Sequence, residues 1–281
     1  MPNIISPQYK RLAAERTPTV AISVAVVAET LNAGAVPTVD DQPEPDPRAH
    51  WSFQPPARQP GVNDIDSFVS SRLAAAGLQP LPAADKPTLL RRAYLDLIGL
   101  PPTPQELSDF LNDPAPEAFA KTVNQLLEDP RYGERWARHW MDVWRYADWY
   151  GRRHVPDVWN SAPQIWRWRD WIVNSLNADH GYDRLLQEML AADEIRPGDD
   201  TAAAATGYLI RNWYALNPND WMRSTVEHTG KAFLGLTFNC AHCHDHKYDP
   251  ISQTDYFRFR AFFEPLYIRQ DQLPGQADPG P

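Results

Sequence analysis

The run YGERWARHWMDVWRY, from Tyr132 to Tyr146, decides the fold. Trp136, His139, Trp140, Val143 and Trp144, with Ala147 beyond, recur at offsets of three and four, which is the spacing of one face of an α-helix. Arg138, Asp142 and Arg145 fall on the opposite side, and Arg138 and Asp142 are spaced for an i,i+4 ion pair. The pattern predicts an amphipathic helix whose aromatic stripe packs inward.

Working outward, nearly every segment repeats this periodicity. Ile65, Phe68, Val69, Leu73 and Ala76 predict a helix over 65–76 stopped by Gly77. Pro87 to Ile98 follows, capped by Asp85 and ended by Gly99, with Leu89, Leu90, Tyr94, Leu95 and Leu97 on its buried side. Thr103-Pro104-Gln105-Glu106 is a capping box with proline at the first helical position, opening a helix to about Asn112. Further helices are expected over 116–128, 163–176, 182–192, 202–211 and 220–236. Trp168, Trp171, Ile172 and Leu176 stand at core spacing in the second of these. A last helix follows the Ser252 to Asp255 box and carries Tyr256, Phe257, Phe259, Phe262 and Phe263. Strand-like alternation is nearly absent. The expected class is all-α: a large domain of many short, proline-capped helices, with 28 prolines among 281 residues.

The boundaries come from composition. Residues 1–35 read as a leader: Lys10, Arg11 and Arg16 precede the apolar run Val20 to Ala28, and Ala33-Gly34-Ala35 offers small residues for cleavage. That run is too short to span a bilayer, so the chain is expected to be exported and not membrane-spanning. Residues 36–61 are rich in proline and acid and read as a linker or extended arm. The helical domain covers 62–268 and a tail covers 269–281. A net charge of −9 argues against nucleic acid as a partner, because phosphate binding favours a basic surface.

One motif carries chemistry. Cys240-Ala241-His242-Cys243-His244 holds both cysteines of the chain and is the C-x-x-C-H attachment signature of c-type haem. Two thiols three residues apart lie on one side of a helical turn and suit two thioethers to one porphyrin edge, while the following histidine offers its imidazole to the iron. Two other readings use the same residues. A redox dithiol needs only the cysteines. A Cys2His2 zinc site needs Cys240, Cys243, His244 and His246.

Four blocks in consistent order then carry a family resemblance: HWSFQPP (His50 to Pro56), RRAYLDLIGLPPTPQEL (Arg91 to Leu107), YGERWARHWMDVWRYAD (Tyr132 to Asp148) and FLGLTFNCAHCHDHKYDPISQTDYFRFRAFF (Phe233 to Phe263). They resemble the planctomycete cytochrome c-type domain, a large helical domain of unknown function in exported proteins. The resemblance implies a c-type haem protein and supplies no reaction. Attachment of haem to this motif outside the cytoplasmic membrane agrees with the leader. Relatives usually continue into a second domain.

The site expectations follow. Cys240 and Cys243 anchor haem c, and His244 is the proximal iron ligand. His139, on the aromatic stripe, is the first candidate for the sixth position. Met141 lies about 200° round the same helix and is not expected to face the same haem. His228 can approach from the helix before the motif. Asp245 or His246 is expected to orient His244 or meet a propionate, and His246 is also a candidate metal ligand. Lys247 is a candidate propionate contact. His154 and His180 are expected in exposed loops. Most of Trp136, Trp140, Trp144, Trp166, Trp168 and Trp171 are expected in the core. The expected function is electron transfer with an unidentified redox protein partner. The alternatives are a haem-bearing enzyme or subunit of extracellular polysaccharide breakdown, since aromatic patches also stack on sugars, and a non-haem metal-binding or structural interaction domain. No catalytic triad, phosphate loop or paired-carboxylate site can be argued from spacing.

Overall fold

The computed structural model describes residues 46–58, 61, 64–148, 152–154, 157–159, 164–211 and 217–266. The leader over 1–35 and the tail over 269–281 lie outside them. The described part of the linker carries two 3-10 turns, Pro47–Ala49 and Trp51–Phe53.

The domain is all-α, apart from one short antiparallel hairpin that the sequence pattern does not announce. Its strands are β1 (Arg152–His154) and β2 (Asp157–Trp159). Eleven helices follow in order among the described residues. They are α1 (Ile65–Ala75), α2 (Lys86–Leu97), α3 (Pro104–Asn112), α4 (Ala118–Glu128), α5 (Pro130–Trp144), α6 (Trp166–Asn177), α7 (Tyr182–Ile195), α8 (Asp200–Ala203), α9 (Gly207–Ile210), α10 (Pro218–Thr229) and α11 (Gln253–Ala261). Their starts are chemical. Asp64, Asp85, Thr103, Asp129, Asn217 and Ser252 each accept a backbone N–H at an N-cap, which satisfies donors the helix cannot reach. Proline occupies the first turn of α2, α3, α5 and α10, where its missing N–H costs nothing.

Two apolar clusters form. The smaller joins Leu90, Tyr94, Ile98, Phe110, Ala118 and Leu126 of the α2–α4 region. The larger gathers Trp144, Trp168, Trp171, Ile172, Met189, Tyr208 and Val226, and extends to Phe238, Ala241, Ile251 and Tyr256. Helices α5 and α6 form its spine. Gly133 lets them close: a Cβ there would sit 2.5 Å from Asn177 Oδ1, which accepts the Gly133 N–H at 2.8 Å.

Of the six tryptophans expected mostly in the core, Trp144, Trp168 and Trp171 are buried, Trp140 packs partly buried against them, Trp136 is partly buried, and Trp166 is 46 % exposed. The stripe on α5 is rotated from the predicted one. Gly133, Ala137, Trp140, Met141 and Trp144 face the core, because the small residues at 133 and 137 allow the closer approach. His139 and Val143 lie outside. The expected ion pair between Arg138 and Asp142 is present. Helix α1 forms as predicted but buries no residue, and Ile65 is 80 % exposed. The predicted helix over 202–211 is two short helices with a 3-10 turn, Ala204–Thr206, between them. The expected helix over 220–236 ends at Thr229 in a π-turn, Gly230–Leu234.

Candidate functional site

The C-x-x-C-H segment is presented by the end of α10 and the start of α11. The π-turn closes at Gly235, whose φ of +66° reverses the chain, and Phe238 then folds back over Gly230. A Cβ at Gly230 would overlap the Phe238 ring, so glycine is what lets the loop lie so close to its own helix. Phe238 also meets Phe259 at a centroid distance of 5.1 Å, which ties the loop to α11.

Cys240–His242 form a 3-10 turn. Its bonds run from Cys243 N to Cys240 O at 3.2 Å and from Ala241 N to Phe238 O at 3.1 Å. In such a turn residues i and i+3 eclipse one another. Ala241 points into the core and is fully buried. Cys240 and Cys243 are free and exposed. The turn therefore has an anchored residue and two solvent-facing thiols.

His244 is exposed, and its Nδ1–H donates to the Asp245 carbonyl at 2.7 Å. That bond places a proton on Nδ1, so in the neutral ring Nε2 is the electron-pair donor, the tautomer in which an imidazole binds a metal through Nε2. The orienting group is thus the backbone oxygen of Asp245. The Asp245 carboxylate instead accepts the Gln253 N–H at 2.8 Å, at the start of α11. His242 stands edge-on to Tyr256 at 5.3 Å, and its carbonyl accepts from Gln253 Nε2.

His246 has a different task from the metal ligation expected of it. Its side chain is 8 % exposed. Nδ1 accepts the backbone N–H groups of Asp249 at 2.8 Å and Tyr248 at 3.3 Å, and Nε2 meets Thr237 Oγ1 at 3.3 Å. Both nitrogens are spent on closing the loop. Lys247 is exposed, with Nζ 5.1 Å from the Tyr248 ring centroid. Among the described residues no three His, Cys, Asp or Glu side chains converge on a common metal position. The four residues of the zinc reading are therefore not gathered.

The remaining histidines are placed differently from one another. His139 is exposed and edge-on to Trp136 at 5.5 Å, so it does not share the buried stripe. His180 is partly buried, with Nε2 3.1 Å from Arg184 Nη1, where an exposed loop position was expected. The side chain of His154 lies outside the described residues. His228 is partly buried on α10, and burial together with the Arg145 charge pushes it down to about 4.

Sequence reasoning missed the residues that fix the loop from a distance. Asn239 Nδ2 donates to Glu227 Oε1 at 2.5 Å, and Lys231 Nζ meets the same oxygen at 2.5 Å. The lysine pair has a sequence signal in its i,i+4 spacing. The asparagine contact has none.

No helix among the described residues is long and apolar enough to cross a membrane. No curated protein and no solved structure matches the chain significantly. The family model PSCyt2, described as a protein of unknown function (DUF1549), matches residues 64–267. A match over more than half of the chain, with the exposed C-x-x-C-H turn inside it, places the protein in the PSCyt2 family.

Proposed function

We propose that the chain is an exported c-type haem protein that transfers electrons through one haem bound covalently at Cys240 and Cys243. The observation that carries this reading is the pairing of two exposed thiols on one anchored turn with a neighbouring His244 whose Nε2 is left as a donor. The thiols suit thioether formation, and His244 suits axial ligation. Haem, when bound, supplies an iron centre that takes up and releases one electron. The protein's part is to hold Cys240 and Cys243 on one side, keep the proton of His244 on Nδ1, and keep the loop rigid through His246 and Asp245. Lys247 is available to a propionate at the rim. The sixth ligand is left unassigned, because His139 is turned to solvent beside Trp136.

Expression beside a haem-attachment system tests the proposal. The denatured, acid-extracted protein should retain a Soret band and the mass of one haem. Substituting C240A and C243A together should abolish both signals. Colourless protein carrying one equivalent of zinc would refute the reading. The polysaccharide alternative is separated by turnover: hydrolysis or oxidation of a sugar polymer by the haem-loaded chain would move it to first place.

A further inference from the structure

Tyr256 and Phe257 follow one another on α11, and neighbours on a helix point about 100° apart, so one can be buried while the other is not. Tyr256 lies in the large core, and Phe257 is 46 % exposed. A single exposed aromatic is ordinary on a protein surface. What sets Phe257 apart is the ring beside it, His242, which belongs to the C-x-x-C-H turn.

A 3-10 turn has three residues per revolution, so its side chains leave in three directions. Ala241 takes the core, Cys240 and Cys243 are exposed, and His242 takes the direction of α11. Its ring stands edge-on to Tyr256 at 5.3 Å and lies 6.5 Å from the Phe257 ring, at an interplanar angle of 37°. Phe257 in turn stands edge-on to Tyr256 at 5.1 Å. Gln253 Nε2 donates to the His242 carbonyl at 3.3 Å, which fastens the turn to the same helix. His242 Nδ1 also lies 3.2 Å from Cys243 Sγ. Cys243, His242 and Phe257 therefore follow in succession from an exposed thiol to an exposed ring.

We infer that Phe257, with His242 between it and Cys243, is the packing surface for the macrocycle attached at that thiol. This placement rests on the haem reading and adds where the ring system lies. Addition of the Cys243 S–H across a vinyl group, sulfur to the inner carbon and hydrogen to the terminal one, bonds the edge of the macrocycle directly to Sγ. That edge then starts beside His242, and a tetrapyrrole is broad enough to reach past it. Lying over Phe257 removes apolar surface of both from water, and a flat ring system gains further from offset or edge contact with an aromatic side chain. Phe257 acts on the iron only through the macrocycle, by screening it from solvent, and burial is one of the levers that set a haem potential. It is a positioning residue.

Hydroxyl-radical footprinting of the matured and unmatured chains tests the placement. Oxidation of Phe257 should fall severalfold when haem is attached, while Phe262, 74 % exposed and about 140° round from it, should react equally in both forms. F257A should keep the covalent haem and lower its reduction potential, because water reaching the macrocycle favours the ferric state, which carries the extra charge. Equal oxidation of Phe257 in the two forms, or an unchanged potential in F257A, overturns the placement and leaves the haem reading standing. The footprint needs no variant, so it decides even where F257A fails to fold. If no haem attaches, the haem reading fails, and metal-free mesoporphyrin tests the surface alone. That probe has no vinyl groups and no axial bond, so it reports ring packing only. By absorbance the wild type should bind it saturably and F257A about tenfold more weakly, the scale of one aromatic contact, while F262A should match the wild type. No binding, or equal binding by F257A, overturns the placement in that case.

Discussion

The two apolar clusters of this domain are built from the same kind of helix and do different work. The α2–α4 cluster is small and mostly aliphatic, with Tyr94 and Phe110 its buried rings, and its residues all lie between 90 and 126. The larger cluster is tryptophan-rich and continues without a break into Phe238, Ala241, Ile251 and Tyr256. The C-x-x-C-H turn is therefore an outgrowth of the large core and has no share in the small one. Stability of the thiol pair should track one cluster and ignore the other.

The strongest way to break that comparison is to hollow each cluster in turn. Trp168→Ala should cost about 3–5 kcal/mol in urea unfolding and make the Cys240 and Cys243 region exchange amide hydrogens freely. Leu90→Ala should cost about 2–5 kcal/mol and leave amide protection from Phe238 to Asp249 as in the wild type. Equal loss of protection in the two variants would show that the clusters act as one.

A smaller effect sharpens the link between core and turn. Gly230→Ala inserts a methyl into the Phe238 ring and should cost about 1–3 kcal/mol, the range for overpacking, with the π-turn and motif amides deprotected before α6. Next comes His246→Ala, which leaves the Tyr248 and Asp249 N–H groups without their acceptor. A loss of about 1–3 kcal/mol is expected, with faster exchange at those two amides. Unchanged exchange there would mean that His246 does not hold the loop.

The smallest effect is a pH dependence. His228 is lowered from 6.5 to about 4 by burial and the Arg145 charge. The unfolded chain then binds a proton that the folded chain refuses, so stability falls as pH drops below 6.5 toward 4. His180 is shifted in the same direction by burial and Arg184. H228N should flatten the fall of the melting temperature across this window, and H228N together with H180N should flatten it further. An identical slope in wild type and variants would remove both groups as its cause.

Much of the scaffold was legible because it is set by local chemistry. The capping boxes at Thr103 and Ser252, the prolines in first turns and the ion pair of Arg138 with Asp142 follow from residues three or four apart. What escaped reading depends on distant partners. The rotation of α5 that expels His139 follows from Asn177 reaching Gly133 across 44 positions. The open face of α1 is not visible in its own periodicity, which promises burial. The loop duties of His246 arise from Thr237 and from backbone donors, while its sequence context suggested a ligand. The motif named its two thiols and His244; the α-helical turn expected there is a 3-10 turn.

The most direct measurement is mass and absorbance of the matured chain after denaturation, set beside H244A. The account predicts one haem retained through both thioethers in the wild type, and in H244A a haem that stays attached while its spin state changes. A denatured wild-type chain with free Cys240 and Cys243 and no Soret band would contradict it.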